Sequence, residues 1–125
     1  MAMIVCIVDD DESIREALSG LLRSAGFSVA VFPSGEAFLQ SDVLGRTSCL
    51  ILDVRMPEMT GPELQARLVQ AGHRIPIVFI TAQTSEALQA QLVASGAAFL
   101  RKPFDEEALL REVERAASAS DAKAR

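Results

Sequence analysis

The amino-acid sequence predicts an α/β fold, a doubly wound sheet of five parallel strands with helices on both faces. Three observations carry this expectation. Five short aliphatic runs recur along the chain, at Met3–Val8, Val29–Phe32, Cys49–Leu52, Ile77–Ile80 and Ala98–Leu100. Each is followed by a stretch that reads as a helix. The runs are continuous rather than alternating, as expected of strands buried on both faces in a parallel sheet.

The first run ends in Asp9-Asp10-Asp11, and Ile14, Ala17, Leu18, Leu21, Leu22 and Ala25 then follow with the spacing of one helix face. Asp11 and Glu12 read as helix-start residues, and Gly26 suits the left-handed position that ends a helix. After the second run, Ser34 can cap a short helix reaching Gln40. The third run ends at Asp53, and a loop from Val54 to Met59 leads into Thr60-Gly61-Pro62-Glu63. That tetrapeptide is a capping box with proline in the first turn. Leu64 and Leu68 continue its helix, Gly72 ends it, and His73 falls in the next loop. The fourth run ends at Thr81; Thr84 or Ser85 then caps a helix through Ser95, closed by Gly96. After the fifth run and Arg101-Lys102-Pro103, Asp105 caps the last helix. Glu106 and Glu107 occupy its first turn, where carboxylates suit the helix dipole. Phe104 and Leu109 stand at hydrophobic-staple positions, and Leu109, Val113 and Ala116 form the buried stripe. Residues 1–118 read as one domain, and 119–125 as a helix end or the start of a linker.

A chain of 125 residues fits one domain, and half of its residues are hydrophobic, enough for a core. With six Phe and neither Trp nor Tyr, that core must be mostly aliphatic. The net charge of -5 argues against direct contact with nucleic acid or an anionic membrane. No apolar run approaches the roughly 20 residues needed to span a bilayer, and no basic segment precedes the first run to make a signal peptide. The chain therefore reads as cytoplasmic. Cys6 and Cys49 each sit inside an apolar run and read as small buried hydrophobes, not as a disulfide or a metal site.

In open α/β sheets ligands bind beyond the carboxyl ends of the strands. The order 2-1-3-4-5 is taken from known sheets of this class, not deduced from the sequence. It makes the ends of strands 1, 3, 4 and 5 neighbours, so Asp9-Asp10-Asp11, Asp53, Thr81 and Lys102 line one crevice. Crowded carboxylates call for a hard cation such as Mg²⁺. An acidic cluster with a lysine is a phosphoryl-handling set, and a carboxylate can itself be the nucleophile.

Four segments resemble one family. Val8-Asp9-Asp10 is similar to the acidic pair after the first strand of response-regulator receiver domains. The segment from Leu50 to Gly61 resembles their phosphoacceptor segment, Phe79-Ile80-Thr81-Ala82 the switch-hydroxyl segment, and Arg101-Lys102-Pro103-Phe104 the lysine-proline segment. In detail the chain looks most like FixJ-type receivers that precede a LuxR-type DNA-binding domain. The resemblance implies the flavodoxin-like (βα)₅ receiver fold and the following roles. Asp53 takes a phosphoryl group from a sensor histidine kinase or phosphotransfer protein. Asp10, Asp53 and the backbone carbonyl of Arg55 ligate Mg²⁺, for which Mn²⁺ can substitute, and Asp9 holds the ion through a water. Lys102 pairs with Asp53 and then with the phosphoryl group, Thr81 donates its hydroxyl to it, and small Ala82 leaves the site accessible. Phe99 rotates inward behind Thr81 as the switch aromatic, and the bond before Pro103 is cis. Arg55 and Gln83 flank the path of an attacking water.

The implied function is a signalling switch in two-component signal transduction, not an enzyme acting on other molecules. It catalyses its own phosphorylation and dephosphorylation, and dimerises through the fourth helix, fifth strand and fifth helix. Transcription regulation follows if an output domain does. The alternatives are a stand-alone regulator or phosphorelay intermediate and, lower, an aspartyl-nucleophile phosphatase. The phosphatase would need a second acid where Arg55 stands. A flavodoxin-like cofactor site would need a phosphate-cradling loop where Asp9-Asp10-Asp11 stands.

Overall fold

A computed structural model describes residues 4–82 and 85–124 of the chain, with side chains described as far as Ser118. Met3, expected at the head of the first strand, and Gln83 and Thr84 lie outside the described residues. The elements alternate as expected: β1 (Ile4–Val8), α1 (Glu12–Ser24), β2 (Ser28–Phe32), α2 (Gly35–Leu39), β3 (Thr47–Asp53), α3 (Gly61–Gln70), β4 (Ile77–Thr81), α4 (Glu86–Ala94), β5 (Ala98–Arg101) and α5 (Glu106–Ala124). The strands form one parallel sheet in the order β2-β1-β3-β4-β5.

Side chains set where the helices begin. Asp11 accepts from the Ser13 amide at 2.8 Å and Ser34 from the Ala37 amide at 3.1 Å. Thr60 and Glu63 exchange bonds at 3.2 and 3.1 Å, completing the capping box of α3. Ser85 caps α4 by accepting from the Leu88 amide at 3.4 Å. Each cap satisfies an amide that the first helical turn leaves unpaired. Gly26, Gly72 and Gly96 sit at positive φ just past α1, α3 and α4.

The two faces of the sheet have separate cores. Cys6, Val8, Leu50, Leu52 and Phe79 pack with Phe38, Leu64, Leu68 and Leu92 from α2, α3 and α4. Val5, Ile7, Cys49, Ile51, Val78 and Ile80 pack with Leu18 and Leu22 of α1 and with Leu109 and Val113 of α5. Successive strand residues feed opposite cores, which is why the runs are apolar without alternation. Cys6 and Cys49 lie on adjacent strands but on opposite faces, and both are free thiols. Burial pushes the Cys49 thiol up to about 12, with Cys6 adding to the effect.

Several details differ from expectation. β3 starts two residues early, at Thr47, after a short 3₁₀ turn at Leu44–Arg46 that no periodicity announced. The Thr47 hydroxyl donates to the Val43 carbonyl at 2.8 Å, which ties that turn to the strand. Ala17 and Ala25 are exposed, so the buried face of α1 is narrower than its apolar spacing. Ala117 is buried on α5 whereas Ala116 is only half-buried, because Leu109, Val113 and Ala117 follow the four-residue repeat of one helix face.

Candidate functional site

The site is built on the carboxyl ends of β1, β3, β4 and β5. Asp9 follows the last residue of β1 and is fully buried; Asp53 ends β3 and is 6% exposed. Asp10, one residue further out, is exposed. One oxygen from each of Asp9, Asp10 and Asp53 lies within 4.8 Å of the others. Lys102, just after β5, places its Nζ 3.4 Å from Asp9 Oδ2 and 3.6 Å from Asp53 Oδ1. The ammonium thus sits between the two buried acids, slightly nearer Asp9 than the expected partner Asp53. The Lys102–Pro103 peptide is cis, and the Lys102 amide donates to the Thr81 carbonyl at 2.8 Å.

Thr81 ends β4 and is buried. Asp53 pairs in register with Ile80, so Thr81 stands one position beyond the phosphoacceptor candidate on the adjacent strand. Phe99 pairs with Phe79 across β4 and β5 and is half-buried against the first core. Arg55 is exposed, and its backbone amide donates to the Asp53 carboxylate.

Electrostatics follow from the crowding. Burial, then the Asp9 charge, pushes the Asp53 carboxyl up to about 6; Lys102 opposes this, Asp10 adds to it and the Arg55 amide opposes it. Burial likewise raises Asp9, against the Asp11 amide, which donates to Asp9 Oδ1 at 2.9 Å, and against Lys102. One ammonium faces three carboxylates. This donor set is all hard oxygen and carries an excess of negative charge, the chemistry Mg²⁺ accepts. The acidic pocket fits that ion.

Two site residues escaped the sequence reading. Gly61 appears there in a capping box and at the end of the phosphoacceptor-like segment but with no role of its own, yet a Cβ on it would lie 2.6 Å from the Asp53 carbonyl oxygen and 3.1 Å from Phe79. Only glycine lets the start of α3 close on the end of β3. Arg15 of α1 donates from Nη1 to the Asp9 carbonyl at 2.8 Å, a contact between a side chain and a main-chain group that no short motif encodes. A cavity of about 710 Å³, lined by Ile75, Pro76 and Ala97 among others, includes none of the site residues. Among the described residues no helix is long and apolar enough to cross a membrane.

Comparison with known proteins agrees with this geometry. Residues 5–114 match the response regulator receiver domain family. The chain is 44% identical over 110 residues to the response regulator protein TodT of Pseudomonas putida, covering 87% of this chain and 48% of TodT. It is 36% identical over 113 residues to the transcriptional regulatory protein FixJ of Rhizobium meliloti, covering 90% of this chain and 55% of FixJ. It thus spans about half the length of these relatives. Among solved structures, response regulator StyR superposes with a TM-score of 0.91 at 43% identity, over 98% of this chain and 63% of StyR. FixJ-N gives 0.83 at 33% identity, over 94% and 95% of the two chains. With the sheet order, the acidic pocket and this match over most of its length, the chain belongs to the response regulator receiver domains of two-component systems.

Proposed function

We propose that the domain is a phosphorylation switch whose acceptor is Asp53. The observation that carries this reading is the convergence of Asp9, Asp53 and Lys102 at 3.4 and 3.6 Å, with Asp10 in the same cluster. An Asp53 carboxylate oxygen attacks the phosphorus of a phosphohistidine on a sensor kinase or phosphotransfer protein. The new O–P bond forms as the P–N bond breaks, and the leaving imidazole takes up a proton. Asp10, Asp53 and the Arg55 carbonyl would ligate Mg²⁺, with Asp9 behind them, and Mn²⁺ would serve in its place. When bound, the ion supplies positive charge for the equatorial phosphoryl oxygens.

Lys102 already neutralises part of the buried charge and stays to pair with a phosphoryl oxygen. The Thr81 hydroxyl donates to the phosphoryl group after transfer, and Phe99 moves toward the space behind it. The altered surface is α4, β5 and α5, through which two phosphorylated copies associate. The name of one relative, a transcriptional regulatory protein, supports an output in transcription regulation where an output domain follows, and the switch itself acts in the cytoplasm. Hydrolysis of the acyl phosphate by the domain itself resets the switch, and Arg55, two residues after Asp53, flanks the approach of the water.

Incubating the protein with acetyl phosphate and Mg²⁺ and weighing it intact tests the reading. The parent gains one phosphoryl group, and neither Asp53→Ala nor the parent in excess chelator does. A parent that stays unmodified, or an Asp53→Ala protein that is modified equally, rejects it.

A further inference from the structure

We propose that Arg15 is a positioning residue for the divalent cation: by holding the Asp9–Asp10 peptide it aims the Asp10 carboxylate into the cluster. The inference rests on the cation-binding reading above and deepens it. Arg15 is the fourth residue of α1 and half-buried, and its Nη1 donates to the Asp9 carbonyl at 2.8 Å. That carbonyl belongs to the peptide unit whose nitrogen is Asp10's, so the plane Arg15 fixes also sets the direction in which Asp10 leaves the backbone.

Apart from the start of α1, where Asp11 accepts from the Ser13 amide at 2.8 Å and from the Arg15 amide at 3.1 Å, the other restraints on this loop act on Asp9. Its amide donates to the Phe32 carbonyl at 3.2 Å, its Oδ1 accepts from the Asp11 amide at 2.9 Å, and its Oδ2 accepts from Lys102 at 3.4 Å. None of these bonds reaches the Asp10 carboxylate, which is exposed. Among the described residues no hydrogen bond is made to the Asp10 carboxylate, so its backbone orients it, and Arg15 holds that backbone from the helix side.

Charge and geometry predict opposite effects, which makes the inference testable. A guanidinium beside an acidic site repels a divalent cation, so a purely electrostatic role would make removal of Arg15 tighten metal binding. Positioning requires the reverse. Lysine retains the charge but not the rigid planar fork that sets donor direction in arginine, so Arg15→Lys recovers only part of the loss. Arg23, also on α1, is exposed and bonds the Val29 carbonyl at 3.3 Å. Arg23→Gln therefore removes the same charge from the same helix without touching the acidic loop.

The test is calorimetric titration of Mg²⁺ alone into the unphosphorylated parent, Arg15→Gln, Arg15→Lys and Arg23→Gln, each first checked for folding by urea denaturation. Arg15→Gln weakens Mg²⁺ binding roughly tenfold, in the range of outer-shell partners of metal ligands. Arg15→Lys falls between it and the parent, and Arg23→Gln matches the parent. With acetyl phosphate, the Mg²⁺ concentration for half-maximal phosphorylation rises in Arg15→Gln while the rate at saturating Mg²⁺ stays near that of the parent. A general loss of structure would not give this split. A folded Arg15→Gln that binds Mg²⁺ as tightly as the parent, or more tightly, overturns the positioning role and leaves the cation site standing. A parent that binds no Mg²⁺ overturns both.

Discussion

Asp53 answers to two opposing demands. As a buried carboxylate beside Asp9 it is costly to ionise, and as the proposed nucleophile it must be ionised. Its carboxyl stands at about 6 in the folded protein against an ordinary value of 3.8, so the folded state binds the proton more tightly than the unfolded chain does. The stabilisation linked to that proton is fully present below the unfolded value and is lost as pH rises through about 6. In metal-free protein at about pH 7.5, Asp53→Asn is therefore more stable than the parent, by about 1–2 kcal/mol once the lost Lys102 pairing is set against the relieved charge. The advantage shrinks toward about pH 4, and Mg²⁺ narrows it by stabilising the parent alone. Urea denaturation across that range measures this, and an advantage that does not vary with pH would contradict it. Lys102→Met removes the ammonium that lies 3.6 Å from Asp53. The Asp53 carboxyl then titrates higher than in the parent, as followed by carbon NMR of the side chain.

At the scale of elements, the start of α3 separates stability from chemistry. Thr60→Ala removes one cap of α3 and costs about 1 kcal/mol, while the phosphorylation rate at saturating Mg²⁺ stays at the parent's value. Gly61→Ala forces a Cβ to within 2.6 Å of the Asp53 carbonyl oxygen. It costs about 1–3 kcal/mol as overpacking and slows phosphorylation as well, because what must give way is the end of β3. Comparing urea midpoints and phosphorylation rates of the two variants checks both. The same pair shows what was legible in the sequence. The capping box is local, four consecutive residues, and the sequence reveals it. The closeness of Gly61 to Asp53 is tertiary, and only the packed structure does. Asp9, Asp10, Asp53, Thr81 and Lys102 were legible because each stands at or just beyond a strand end, where one apolar run stops and the chemistry begins. Arg15 was not, because its partner is a main-chain carbonyl.

For the whole molecule, the two separate cores give the sheet its rigidity, and the acidic pocket lies at one edge of that slab. In the proposed switch, coupling the pocket to α4, β5 and α5 is a matter of populations. Inverting a roughly 99:1 equilibrium takes about 5.5 kcal/mol of differential stabilisation, more than one new hydrogen bond supplies. The cation, Lys102 and Thr81 must act together. Gln91 on α4 and Ser95 just past its end line the groove toward α3. Val93 lies about 200° around the helix from Gln91 and is 64% exposed. Val93→Lys accordingly accepts the phosphoryl group as the parent does but remains monomeric, as read by sedimentation velocity; equal dimerisation of the two would remove α4 from the interface. The proposed switch turns on one bond, an acyl phosphate on residue 53. Its most direct test is borohydride reduction of the phosphorylated protein followed by peptide mapping, since reduction converts an aspartyl phosphate to homoserine at the modified position. Homoserine is expected at position 53 and nowhere else. Homoserine at position 9 or 10, or phosphate retained on a hydroxyl or imidazole side chain, would contradict it.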